Sequence, residues 1–199
     1  MMEERSVSEA TLHGVLLDVY GIGVLLLGES GTGKSECALD LVTRGHRLVA
    51  DDIVEIVRES DQIVIGRGPA RIRHHMEVRG LGIINIRDLF GVAAIRYRKR
   101  IELVIQLEVW RADEEYDRLG LEEQSHSILG VPIPLLRIPI SAGRNVAILV
   151  EVAARNHLLK LMGVHAARTF AVRLSGYEAG TTGGVPDPDF PAHSREDTE

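Results

Sequence analysis

Eight residues near the start of the chain restrict its fold more than any other part of the sequence. Residues 28–35 read Gly-Glu-Ser-Gly-Thr-Gly-Lys-Ser and match the pattern G-x-x-x-x-G-K-[ST]. A nearly continuous apolar run precedes them at residues 22–27, and apolar residues with helical spacing follow within residues 36–44. A buried strand, a glycine-rich loop and a helix in this order predict a loop whose backbone N–H groups surround a phosphate.

We predict that the whole loop binds the phosphates of a nucleotide. Lys34 is expected to bridge the outer phosphates, and the Ser35 hydroxyl is expected to ligate Mg²⁺. A chance glycine-rich turn is the alternative, and the flanking strand and helix argue against it. The motif does not identify the acceptor of the phosphate. The predicted phosphate-binding residues are Gly28, Glu29, Ser30, Gly31, Thr32, Gly33, Lys34 and Ser35.

The remaining pattern predicts an α/β domain with a central mixed sheet. We expect strands at residues 12–19, 22–27, 46–50, 53–57, 62–66 and 101–110, with a tight turn at Tyr20-Gly21. Helices are expected at 36–44, 145–162 and 164–174. The prolines in residues 131–140 predict an edge strand or an extended connection there. Residues 1–11 are read as a lead-in, 12–174 as one domain, and 175–199, rich in glycine, proline and charge, as a disordered tail.

Composition excludes several classes of function. The 199 residues carry a net charge of -6, which argues against a nucleic-acid partner because no basic field attracts a phosphate backbone. The single cysteine, Cys37, excludes an internal disulfide and fits a reducing compartment. No apolar run is long enough to span a bilayer, and the polar N-terminus is unlike a signal peptide. We therefore expect a cytoplasmic protein without a membrane partner.

Two adjacent acids end the apolar run at residues 48–50. Asp51 and Asp52 occupy the position of a strand-end acid that holds magnesium through its water shell. Neighbouring side chains on a strand point to opposite faces, but at the end of a strand both could reach one site. A kinase also needs a carboxylate that accepts the proton of the attacking hydroxyl. The alternative is a pair of ordinary turn aspartates.

The sequence resembles the HPr kinase/phosphorylase family. Residues 13–21, 28–36 and 44–52 are similar to the core of that family. The most specific segment, residues 76–85, reads Met-Glu-Val-Arg-Gly-Leu-Gly-Ile-Ile-Asn, and residues 117–120 and 143–145 also match. The resemblance covers about residues 12–170. It implies a phosphoenolpyruvate-carboxykinase-like nucleotide-binding architecture with a mixed sheet and flanking helices.

The resemblance implies a bifunctional enzyme. The family uses ATP and Mg²⁺ to phosphorylate a serine of HPr, a small carrier protein of the sugar phosphotransferase system, and removes that phosphate by phosphorolysis to pyrophosphate. Pyrophosphate is a further candidate donor. The family also implies a homo-oligomer, specifically a hexamer. We therefore expect the same properties of this chain.

Individual roles follow from the same resemblance. Lys34 binds the transferring phosphates, Asp52 exchanges the serine proton with Asp51 as support, and His13 lies near that acid. Ser35 and Glu77 hold Mg²⁺, and Arg118 steadies charge on the transferring group. The residues linked with the phosphorylase direction are Arg79, Gly80, Gly82, Gly143, Arg144 and Asn145.

The sequence departs from the family at both ends, and two other functions stay open. Family members usually carry an additional N-terminal domain and end in a charged amphipathic helix, whereas residues 175–199 contain Gly183-Gly184 and three prolines. A P-loop kinase of a small molecule is one alternative. A nucleotide-sensing module without turnover is the other, although a sensor has no need of a base. His74 and His75 are adjacent without a third ligand, so we predict no metal site there.

Overall fold

The computed structural model describes residues 8–111, 123–141 and 143–178. For residues 175–178 it describes the backbone alone. Within these ranges the chain forms three sheets and a set of helices. The strands are β1 (Glu9–His13), β2 (Val15–Val19), β3 (Ile22–Gly28), β4 (Arg47–Ala50), β5 (Ile53–Ser60), β6 (Ile63–Arg67), β7 (His75–Val78), β8 (Gly82–Asn85), β9 (Arg98–Arg100), β10 (Leu103–Val109), β11 (Gln124–Ile128) and β12 (Val131–Ile140). The helices are α1 (Lys34–Thr43), α2 (Ile86–Phe90), α3 (Val146–Leu161) and α4 (Ala166–Glu178), with a 3₁₀ turn at Val92–Ala94.

A six-stranded mixed sheet forms the centre, in the order β11-β12-β10-β3-β2-β4. β10 runs parallel to β3 and to β12, whereas β2 is antiparallel to both β3 and β4. β4 therefore has the same direction as β3, and the carboxyl ends of β3, β4, β10 and β12 meet at one edge of the sheet. The predicted mixed α/β fold is confirmed. Ligands of such sheets bind beyond this edge.

The hairpin of β2 and β3 has the predicted tight turn. Tyr20 and Gly21 both have positive φ, 51° and 84°. Two residues of this kind form a type I′ turn, whose twist matches that of the flanking strands.

Each face of the central sheet covers its own core. Successive side chains of β2 point to opposite faces, so Val15 and Leu17 join one core and Leu16 joins the other. The first core lies against α1 and α3 and includes Leu41 and Val150. The second core lies against a four-stranded antiparallel sheet in the order β1-β5-β6-β9. These elements are therefore layered in the order helices, mixed sheet and antiparallel sheet.

The expected strand at residues 12–19 is divided in the structure. β1 belongs to the four-stranded sheet and β2 to the central sheet, with Gly14 between them. A Cβ atom at Gly14 would lie 2.7 Å from the carbonyl oxygen of Leu26, closer than real Cβ contacts allow. Glycine at this position lets the chain cross tightly from one sheet to the other.

The prediction of an edge strand at residues 131–140 was wrong, because β12 lies between β11 and β10. The strand nevertheless accommodates its prolines, because its two halves pair with different neighbouring strands. β11 pairs only with Val131–Leu135, which holds Pro132 and Pro134, while β10 pairs only with Leu135–Ile140, which holds Pro139. Among the described residues, each proline therefore has a strand neighbour on one side only, which leaves its missing N–H without cost to the hydrogen bonds of the sheet.

The chain divides into two compact units, and the second begins at His165. It contains α4, which extends to Glu178 and thus beyond residue 174, where we expected the domain to end. Gly176 within this helix costs only about 1 kcal/mol relative to alanine, and the first helix-breaking proline comes later, at Pro186. Residues 179–199 of the predicted tail lie outside the described residues.

Candidate active site

The predicted functional segments meet at one edge of the central sheet. β3 ends at Gly28 and β4 at Ala50, and the antiparallel β2 begins there at Val15. A cavity of about 270 Å³ lies at this edge. The predicted residues that line it are His13, Ser30, Gly31, Gly33, Lys34, Ser35, Asp51, Asp52, Glu77 and Arg79.

The phosphate loop has the geometry of an anion cradle. The Lys34 ammonium lies inside the curve of the loop and donates to the carbonyl oxygens of Gly28 and Glu29 at 2.8 and 2.9 Å. The Thr32 hydroxyl closes the loop by donating to the Glu29 carbonyl at 2.8 Å. Gly28 must lack a side chain, because a Cβ there would lie 2.7 Å from the Leu107 carbonyl oxygen.

Helix α1 begins directly from this loop without a side-chain cap. Its N-cap residue is Gly33, with φ 82°. The first N–H groups of a helix have no partner within the helix, and its N-terminus carries a partial positive charge. These groups therefore suit the oxygens of a bound phosphate.

The two acids of the pair point to different partners. The Ser35 hydroxyl donates to Asp51 Oδ1 at 2.9 Å, and Asp51 is buried, with 6% of its surface exposed. Asp52 has φ 67°, and the Ile53 N–H donates to the Asp51 carbonyl at 2.8 Å across it. This three-residue hydrogen bond defines a γ-turn at the end of β4, a strained conformation. The turn breaks the strand alternation, and both side chains line the same cavity.

Asp52 forms a pair with a histidine from the neighbouring segment. His13 Nδ1 lies 3.0 Å from Asp52 Oδ1, and both side chains are more than half exposed, at 56% and 60%. The Gly14 N–H donates to the Asp52 carbonyl at 3.0 Å, which fixes the backbone between the two residues. An exposed carboxylate oriented by an imidazole can exchange protons with a substrate hydroxyl.

Burial changes the titration of Asp51. It raises the pKa of this carboxyl from 3.8 to about 6, against the opposing hydrogen bonds from Ser35 and from the backbone of Glu77. The charge of the adjacent Asp52 raises the pKa further. The carboxylate form is therefore costly in the protein alone, and a cation at this point would stabilise it.

The β7–β8 hairpin forms a wall of the cavity. Its connection is a turn in which the Leu81 N–H donates to the Val78 carbonyl at 3.0 Å and Gly80 has φ 86°. A positive φ at the third turn position requires glycine in a type II turn. The turn holds the Arg79 guanidinium against the phosphate loop, where a Cβ on Gly31 would lie 3.5 Å from its nitrogen.

Some predicted residues do not reach the cavity. Residues 143–145 follow β12 at the same edge of the sheet but are not among the lining residues. The Arg144 guanidinium donates to the Pro139 carbonyl at 2.6 Å, and the Asn145 side chain caps α3 by accepting from the Ile148 N–H at 3.1 Å. Arg118 lies outside the described residues.

Six residues that line the cavity received no role from the sequence. They are Val15, Glu36, Ile72, His75, Met76 and Ile83. The glycine- and isoleucine-rich segment around Glu77 was a signal for Ile83. Nothing in the local sequence marked Ile72, because its place depends on the path between β6 and β7.

Within the part of the chain that the structure describes, no group of three or more His, Cys, Asp or Glu side chains is arranged to hold a metal ion. None of the helices in the described ranges combines the length and apolarity needed to cross a membrane.

The fold and the loop define a class of protein. A mixed sheet presents the G-x-x-x-x-G-K-S loop beside a strand-end acid that is hydrogen-bonded to the serine of the loop, which is the arrangement of P-loop nucleotide-binding proteins. The chain belongs to the family described as the HPr Serine kinase C-terminal domain, whose model matches residues 4–174. The predicted family is confirmed.

Individual relatives agree with this membership. An HPr kinase/phosphorylase of Geobacter sulfurreducens is 55% identical over 173 residues, which cover 87% of this chain and 54% of that protein. The protein of the same name from Bacillus subtilis is 52% identical over 174 residues, covering 87% and 56%. The chain thus spans about half the length of the curated relatives it matches. A solved structure described as the Hpr(Ser) kinase/phosphatase from Coxiella burnetii superposes with a TM-score of 0.70 at 35% identity, covering 77% of this chain and 99% of that one.

Proposed function

We propose that this protein is a serine-specific protein kinase and phosphorylase that acts on HPr. It transfers the γ-phosphoryl group of ATP to a serine of HPr and removes it by phosphorolysis. The observation that carries the proposal is the meeting of the Lys34 loop and the Asp52–His13 pair in one cavity. The family membership and the names of the relatives support it.

The oxygen donors at the cavity fit Mg²⁺. The Ser35 hydroxyl, the Asp51 carboxylate and the Glu77 carboxylate all belong to cavity-lining residues, and Mg²⁺ prefers oxygen ligands. Mg²⁺ commonly binds through one or two carboxylates together with substrate phosphates and water. We assign Ser35 and Glu77 as its ligands, with Asp51 acting through Ser35 and the water shell. The ion supplies charge neutralisation at the phosphate oxygens.

In the kinase direction, Asp52 accepts the proton of the HPr serine hydroxyl. The serine oxygen forms a bond to the γ-phosphorus as the bond to the β–γ bridging oxygen breaks, and ADP leaves. Lys34 and the loop N–H groups bind the oxygens on which charge develops. His13 orients Asp52 through the contact at 3.0 Å, and Arg118 is assigned to steady charge on the transferring group.

In the phosphorylase direction, the same groups act in reverse order. An oxygen of inorganic phosphate bonds to the phosphoserine phosphorus, the serine oxygen leaves, and Asp52 returns the proton to it. The products are serine and pyrophosphate. We link Arg79, Gly80 and Gly82 with this direction because they shape the wall beside Gly31. Gly143, Arg144 and Asn145 are assigned to it by the family resemblance.

The wider setting of the reaction belongs to the same proposal. We place the protein in the cytoplasm, in agreement with the single unpaired Cys37. We propose a hexamer of this chain on the family resemblance. Pyrophosphate is proposed as an alternative donor, because it presents the same terminal phosphates to Lys34 as ATP does.

A direct transfer assay tests the proposal. The protein is incubated with Mg²⁺-ATP and HPr, and phosphoserine is detected by mass spectrometry, with a panel of small metabolites as competing acceptors. We expect labelled HPr, no labelled metabolite, and no labelling by Lys34→Ala. Transfer to a metabolite would favour a small-molecule kinase, and nucleotide binding without a labelled acceptor would favour a sensor.

A further inference from the structure

Positive charge is concentrated in one segment of this acidic chain. Residues 71–100 contain eight Lys or Arg residues and only two acids, Glu77 and Asp88, which gives a formal charge of +6, whereas the whole chain has -6. The exposed arginines Arg71, Arg79 and Arg87 form no ion pair with any described residue. Exposed arginines that outnumber the nearby acids form a positive field that attracts an acidic partner.

The same segment exposes large apolar side chains. Leu81 and Ile83 of the β7–β8 hairpin are 72% and 74% exposed, and Leu89 of α2 is 61% exposed. Leu81 projects from the turn between Gly80 and Gly82, where a polar residue would be ordinary. Exposed apolar groups and arginines in one segment of the surface are typical of the composition of protein–protein interfaces. We call Arg71, Arg79, Leu81, Ile83, Arg87 and Leu89 the arginine–leucine face.

This face is continuous with the cavity. Arg79 and Ile83 line the cavity itself. The Ile86 N–H donates to the His74 carbonyl at 2.8 Å, which joins the start of α2 to the loop that precedes β7. Burial and the nearby charges of Arg73 and Arg87 lower the pKa of His74, in agreement with a positive potential over this region. A molecule on the face would therefore stand at the mouth of the site.

We propose that the arginine–leucine face is the docking surface for the acceptor protein, which binds with an acidic and partly apolar surface beside its phosphorylated serine. The inference rests on the proposed function. A small acceptor held in the cavity would leave Leu81 and Leu89 exposed, because neither lines it. A folded protein covers them, and its carboxylates pair with the arginines.

Steady-state transfer to HPr with two double variants tests this inference. Arg71→Glu with Arg87→Glu reverses charge on the face, and Leu81→Ser with Leu89→Ser removes apolar area, while neither pair lines the cavity. We expect each pair to raise the KM for HPr about tenfold with kcat within twofold. The effect of the arginine pair should shrink to about threefold between 50 and 300 mM NaCl, because salt screens exposed charge. The effect of the leucine pair should persist.

Matched controls separate docking from folding and from chemistry. Arg47→Glu reverses an exposed charge at the start of β4, the end of that strand away from Asp51, and should leave KM unchanged. All variants should bind Mg²⁺-ATP as the unchanged protein does. A KM within twofold for both pairs, with transfer intact, overturns the docking inference alone. If a double variant changes its sedimentation mass while its KM for HPr stays constant, the face forms contacts between copies of this chain. That result also overturns the docking inference. No transfer to HPr by the unchanged protein overturns the proposed function together with this inference.

Discussion

Replacing Asp51 by asparagine should make the metal-free protein more stable and less able to bind Mg²⁺-nucleotide. Asp51 is buried beside Ser35, and burial raises its pKa to about 6. Asparagine keeps an oxygen that can accept the Ser35 hydroxyl at the present 2.9 Å. It removes the charge that costs free energy in the folded state.

The size of this gain follows from the pKa. The folded value of about 6 exceeds 3.8 by about 2.2, and at about 1.36 kcal/mol for each pKa unit this amounts to about 3 kcal/mol. Between these values the folded protein holds a proton that the unfolded chain has released. The free energy of unfolding therefore falls as pH rises from about 4 to 6 and stays low above it. We expect Asp51→Asn to gain about 2 kcal/mol at pH 7.5, since the amide does not match every contact of the carboxyl, and about zero at pH 4.

Urea unfolding with EDTA, at pH 7.5 and pH 4, measures both quantities. From pH 4 to pH 7.5 the free energy of unfolding of the unchanged protein should fall relative to that of the variant. The variant should bind Mg²⁺-ATP at least tenfold more weakly. Ser35→Ala serves as the matched control, because it removes the hydroxyl and leaves the buried charge. A variant that is less stable than the unchanged protein at pH 7.5, or a stability difference independent of pH, would refute the reasoning.

Three further outcomes are expected. Lys34→Ala should lower transfer in both directions at least about a hundredfold, measured as phosphoserine formed and pyrophosphate released, because one group binds the developing charge in both. Asp52→Asn should bind nucleotide normally in equilibrium titrations but lose transfer; retained transfer would remove Asp52 from proton exchange. Gly23→Ala should destabilise the fold by about 3 kcal/mol or more in urea unfolding, because its Cβ would lie 1.7 Å from the Arg100 carbonyl oxygen; an unchanged midpoint would contradict the packing of β3 on that segment.

The phosphate loop was predictable because its chemistry is local. Residues 28–35 are consecutive, and the preceding strand and following helix have clear periodicities. The hairpin turn at Tyr20-Gly21 was predictable for the same reason. It depends on two neighbouring residues and on well-defined backbone preferences.

Long-range pairing explains what the sequence did not reveal. The division of residues 12–19 at Gly14 depends on a close approach to Leu26, which no local pattern encodes. The position of β12 inside the sheet depends on β10 and β11 using different halves of it. The γ-turn at Asp52, which turns one acid toward Ser35 and the other toward His13, likewise follows from the junction of two sheets.

Our central proposal is that a single phosphate loop and a single carboxylate catalyse phosphoryl transfer in both the kinase and the phosphorylase direction. It is tested most directly by incubating phosphoserine-HPr with Mg²⁺ and inorganic phosphate in ¹⁸O-labelled water. We predict one pyrophosphate for each phosphoserine lost, no ¹⁸O in the released phosphoryl group, and an equal loss of the forward and reverse rates in Asp52→Asn. Release of ¹⁸O-labelled phosphate without pyrophosphate would contradict the account.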